Sequence, residues 1–134
     1  MILGDVMQEV ADELDSIPGL HVFAYPADNV VPPAAVVGYP REYLFDVTAS
    51  RGTDIVTLPV WVLVGKVHDR TTRDTISDYV SGSGAKSFKA VIQTKPHTAF
   101  GSARVTRVVF ETVAVAGTDY LAGIFDVMIH GTGD

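Results

Sequence analysis

Leu3, Val6, Met7, Val10, Leu14 and Ile17 recur at steps of three and four, with acidic residues between them. That spacing lays the apolar side chains along one stripe of an amphipathic helix over residues 2–16. Acids in its first turns favour the positive end of the helix dipole, and Pro18-Gly19 ends it. A short strand is predicted over 21–25, then a proline-rich loop over 26–33, then an apolar strand over 34–39 closed by Pro40. The pattern weakens over 41–52, which reads as a loop even though it holds Tyr43, Leu44 and Phe45 in succession.

The longest strand is predicted over 53–66. Ile55, Thr57, Pro59, Trp61 and Leu63 share one face, and Val56, Leu58, Val60, Val62 and Val64 share the other. Both faces are apolar, so both call for a cover, whether helices, another sheet or another chain. Pro59 has no N–H to give to a ladder, which places an edge or a bulge there. A second helix is expected over 69–81, with Asp69 as N-cap, Thr72, Ile76, Tyr79 and Val80 on one face and Gly82 at the C′ position. A shorter helix over 85–93 turns Phe88, Val91 and Ile92 inward and Lys86 and Lys89 outward. Strands over 104–116 and 120–129, joined at Gly117-Thr118-Asp119, form a hairpin. This order predicts an α+β fold, a mostly antiparallel mixed sheet with an N-terminal helix and a helix pair packed on it.

Length and composition narrow the class. At 134 residues the chain reads as a single domain over 1–134, and 47% hydrophobic against 19% charged residues excludes disorder. The run 55–65 is too short and too β-branched to be a membrane helix. The first residues lack the basic segment and unbroken apolar run of a secretory leader, so no export is expected. With no cysteine there is no disulfide framework, thiolate metal site or cysteine nucleophile. The formal charge of −6 argues against a phosphate-backbone docking surface. Charge is uneven: eight acids and one base over 1–50 leave that part at −7, whereas nine bases and eight acids leave the remainder at +1.

Candidate chemistry is sparse. His21, His68, His97 and His130 include no pair at the i, i+2 or i, i+4 spacing that sets two imidazoles on one metal. His68-Asp69 is an adjacent His–acid pair without an evident nucleophile, at a turn where Asp69 serves as a cap. Gly82-Ser83-Gly84-Ala85-Lys86-Ser87 ends in Lys-Ser, but its glycines are two apart and a helix precedes it, so it reads as a helix connection, not a phosphate loop. Lys66, Arg70, Arg73, Lys86, Lys89 and Lys95 lack interleaved aromatics and read as a solvated face. No catalytic, cofactor-binding or metal residue is expected.

Three stretches carry a wider likeness: Val31-Pro32-Pro33-Ala34-Ala35-Val36-Val37-Gly38, then Leu58-Pro59-Val60-Trp61-Val62-Leu63-Val64-Gly65 with Asp69-Arg70-Thr71 beyond it, and Asp119-Tyr120-Leu121-Ala122-Gly123. With the acidic first helix and the order of elements over nearly the whole chain, they make the sequence resemble the tail terminator and head-tail joining (neck) proteins of long-tailed, siphovirus-type bacteriophages. The resemblance implies a non-enzymatic virion protein, assembled in the host cytoplasm. It would form a homohexameric ring at the head-proximal end of the tail, ending the tail tube and meeting a stopper or adaptor protein of the neck. Genomic DNA would pass through the pore without specific binding, and no membrane is involved. No functional residue carries over by motif. From the residues themselves, the expected interfaces are Glu9, Asp12, Glu13 and Asp15 of the acidic helix, facing basic residues of 66–107, and the Tyr43, Leu44, Phe45 cluster, which leans either on its own sheet or on a neighbouring subunit. The alternative is a small ferredoxin-like oligomeric enzyme or ligand-binding domain whose pocket residues converge only in the fold.

Overall fold

The computed structural model describes residues 1–25, 31–47, 52–94, 96–115 and 117–132. The elements run α1 (Leu3–Leu14), β1 (His21–Phe23), β2 (Ala34–Val37), β3 (Tyr43–Leu44), β4 (Thr53–Lys66), α2 (Arg70–Val80), α3 (Phe88–Thr94), β5 (Ser102–Val115) and β6 (Thr118–Thr132). Most of the loop expected over 26–33, together with Ser50, Arg51, Lys95 and Ala116, lies outside the described residues. The fold is α+β. Its sheet has the strand order β1-β2-β4-β6-β5, with β3 pairing β4 off that path, and β1–β2 is its parallel pair.

All the described helices lie on one side. Buried alternation along β4 turns Val56, Leu58, Val60, Val62 and Val64 inward, where they join Phe125, Val127 and Ile129 of β6. Val6, Val10 and Leu14 of α1, Ile76 and Tyr79 of α2, and Phe88 and Ile92 of α3 close the same core. Phe88 stacks on Phe125 with ring centroids 4.6 Å apart and meets Tyr79 at 5.4 Å. Gly123 lets α2 approach, because a Cβ there would stand 3.3 Å from Val62 and 3.4 Å from Ile76.

Among the described residues, no helix covers the other face of β4. Ile55, Thr57, Pro59, Trp61 and Leu63 are all half-buried, as are Ile124, Asp126, Met128 and His130 of β6. The described helices thus supply one of the two covers that the apolar pattern calls for.

Several local expectations are corrected. Pro59 lies in an interior strand, in unshifted register opposite Asp126, and the β4–β6 irregularity is at Leu63/Gly65 instead. A strand residue's N and C=O point to the same side, and the Pro59 carbonyl accepts the Gly38 N–H at 2.8 Å just where β2 ends. The missing N–H therefore faces Gly38 at the end of β2, where the reciprocal bond of that pair is not made, and the β4–β6 ladder is left intact. The expected 41–52 loop contains β3, with Tyr43 opposite Val56 and Leu44 opposite Ile55. Gly82 is not a left-handed cap: Ser81 is extended at the end of α2, and Gly84 takes the positive φ. Asp69 holds the N-cap position of α2 without a side-chain cap bond. The next helix is α3, whose Ala90 N–H is capped by the Ser87 hydroxyl at 3.1 Å. Thr118 already pairs with Val115, so the hairpin turn is tighter than the expected 117–119.

Candidate functional site

The open sheet face carries a broad groove of about 780 Å³. Strand alternation builds its floor by placing Pro59 and Trp61 of β4 beside Ile124 of β6. Its rim is charged: Arg41 and Glu42 on one side, Arg107 and Glu111 of β5 on the other. Arg107 donates to the Asp126 carboxylate across the β5–β6 ladder, so one of its cations is already committed. An apolar strip with Trp at its centre and a polar rim is the anatomy of a protein contact surface. Among the described residues that line it, no group of three metal-ligating side chains comes together.

Beside it, the Tyr43, Leu44, Phe45 cluster divides. Tyr43 is half-buried against the core and donates its hydroxyl to the buried Asp54 carboxylate at 3.0 Å. The same carboxylate accepts the Asp46 N–H at 3.0 Å, and the Val47 N–H reaches the Thr53 carbonyl at 2.8 Å. These bonds fasten the flanks of the segment to the start of β4. Leu44 and Phe45 point outward, Phe45 with 72% of its surface exposed, and its ring lies 4.6 Å from that of Tyr43. Tyr43 therefore leans on its own sheet, whereas Leu44 and Phe45 stay exposed.

The acidic helix divides as well. Asp12 is exposed and accepts from Gln8 at 2.9 Å, whereas Glu13 is only 6% exposed. Glu13 Oε1 lies 2.6 Å from His97 Nδ1, and the His97 ring stands 4.4 Å from Phe100. One turn earlier, Glu9 accepts the Thr98 hydroxyl at 2.6 Å, the Thr98 N–H at 3.0 Å and the Ala99 N–H at 3.2 Å. Partial burial pushes the Glu9 carboxyl up, but these donors together with nearby His97 hold it below its ordinary value. One ligand atom each from Glu9, Glu13 and His97 falls within 4.8 Å of the others, a donor set able to hold a divalent cation. Their hydrogen bonds make the cluster a clamp that fastens α1 to the connection between α3 and β5.

The spacing rules applied to histidine pairs miss this clamp, because its partners are more than eighty residues apart. A signal was nonetheless present: Val6, Val10, Glu13 and Ile17 are themselves spaced by four, three and four, so Glu13 occupies a slot of the apolar stripe. Neither a protein-family model nor a curated protein matches the chain.

Proposed function

We propose that this chain is a structural ring subunit at the head-proximal end of a long-tailed phage tail, ending the tube and joining it to the neck. The observation that carries this reading is the half-covered sheet. One face is sealed by helices, while the other keeps Trp61, Pro59, Ile124 and Met128 only half-buried beside exposed Leu44, with exposed Phe45 against Tyr43 at the sheet's margin. A monomer with no partner gains nothing from such a surface, whereas a subunit between neighbours and a tube buries it. The net charge of −6 suits a pore that passes DNA without holding it. The likeness in element order described above points the same way.

The test is removal of this chain from the phage that encodes it, with imaging of the products. Filled heads and unjoined tails, restored by the wild-type chain, are the expected outcome; normal joining without it, or a single copy per particle, defeats the reading. The groove on the open face gives a second reading, a ligand-binding domain. A small molecule that co-purifies with the protein and is lost on Trp61→Ala would favour that alternative.

A further inference from the structure

The two edges of the sheet differ, and they match each other. Carried across the strands, the pairing register gives three consecutive transverse rows: His21–Ala34–Leu63–Ala122–Glu111, Val22–Ala35–Val62–Gly123–Phe110, and Phe23–Val36–Trp61–Ile124–Val109. Each row ends on β1 at one edge and on β5 at the other. The paired ends are His21 with Glu111, Val22 with Phe110, and Phe23 with Val109: an acid level with a histidine, then two apolar pairs. Phe110 and Val109 are also large apolar residues exposed in the isolated chain, Phe110 by 53%.

β5 is a long edge strand. Its irregularity at Val105/Arg107 interrupts only the first part, and the stretch from Arg107 to Val115 is regular and free of proline. Such an edge is a template for another strand unless it is covered. The directions agree too. β1 is parallel to β2, and the antiparallel steps from β2 through β4 and β6 to β5 make β1 and β5 antiparallel. A rotation about an axis along the strands preserves that relation, so β5 of one copy meets β1 of the next as an antiparallel pair at the same height.

Building on the ring reading above, we infer that copies of this chain join head to tail through their sheet edges, β5 of each against β1 of its neighbour. The contact is heterologous, and a rotation that divides the full turn evenly closes it as a ring and not an open filament. Glu111 of one copy meets His21 of the next on the open face, beside Val109 against Phe23. Phe110 covers Val22 on the helix face and extends the neighbour's core. Leu44, Phe45 and the open groove remain available to the tube or the adjoining neck protein.

The absence of cysteine gives a clean background for the test. Phe23→Cys and Val109→Cys are made separately and together in the full chain and oxidised, with a short bismaleimide run in parallel. The mixture of single variants is expected to give linked dimers, each single variant alone none, and the double variant a ladder that ends in a closed species. Phe110→Asp is expected to keep the wild-type unfolding midpoint and to weaken self-association at least tenfold by sedimentation. Dimers of Val109→Cys alone would show β5 pairing with itself and overturn the inference. A wild-type chain that stays monomeric at millimolar concentration, together with no linked product from the mixed cysteine variants, also overturns it. Association without linkage in the mixture overturns this contact while leaving the ring reading intact. Linkage as expected, with normal head-tail joining in particles lacking the chain, removes the phage reading and leaves the contact standing.

Discussion

Gly38 shows how one residue's size is set by its surroundings. A Cβ there would stand 3.1 Å from Pro59 Cγ and 3.2 Å from the Pro59 carbonyl oxygen, and backbone moves less readily than a side-chain tip. Gly38→Ala is therefore expected to lower stability by about 1–3 kcal/mol, measured by chemical denaturation. Glu9 sets a different dependence. Its carboxyl is held below its ordinary value of 4.5, so the folded state favours the ionised form. The stabilisation is fully present above that value and is lost as pH falls through the lower folded value. Glu9→Gln should flatten the dependence of stability on pH in that acid window while leaving it unchanged in shape near neutrality. Unfolding curves from pH 3 to 7 for both proteins check this; identical acid limbs would show that the Thr98 and Ala99 donors do not discriminate between the two protonation states.

At the scale of elements, legibility followed periodicity. β4 spans the same residues, Thr53–Lys66, in the sequence reading and in the structure, because fourteen residues of β-branched and apolar character leave no helical alternative. α1 was legible from its apolar stripe and α2 from a face of Thr72, Ile76, Tyr79 and Val80. β3 was not, because two residues carry no period and its existence depends on pairing with β4. The Gly82 expectation failed because composition shows that a glycine follows the helix, not which of two nearby glycines takes the left-handed turn. The aromatic layer between α3 and β6 is the element contact with the largest expected effect. Phe88 is fully buried and stacked on Phe125, so Phe88→Ala should cost about 3–5 kcal/mol in denaturant titration. A loss below 1 kcal/mol would mean that this layer collapses freely around the void.

For the whole molecule, the distinction between residues engaged inside the chain and residues left outside decides which substitutions report on assembly. Glu13 and Tyr43 hold the fold together, so replacing them tests folding. Asp12, Asp15, Leu44 and Phe45 are exposed, so replacing them tests contacts. On the ring reading proposed above, Asp12→Lys with Asp15→Lys should slow head-tail joining most at low salt, since exposed pairs contribute about 0.2–1 kcal/mol each and are screened. Leu44→Ser with Phe45→Ser should leave the melting curve of the isolated protein unchanged and, on the same proposed reading, reduce joining to the tube; joining at the wild-type rate would assign these side chains no partner. The candidate surface was legible in part: the two-faced apolar strand announced that a cover was needed, but only the fold reveals which face the helices take. The clamp between α1 and the segment around Thr98 has a kinetic side. It joins positions 89 residues apart, and β4 completes its ladder only against the last strand of the sheet, Thr53 opposite Thr132. Contacts of such long range slow folding, because the loop must close before any of them forms. During synthesis the apolar stripe of the first helix can meet β1 and β2 soon after they emerge, but Glu9 and Glu13 must wait for their partners until residues 97–99 have left the ribosome.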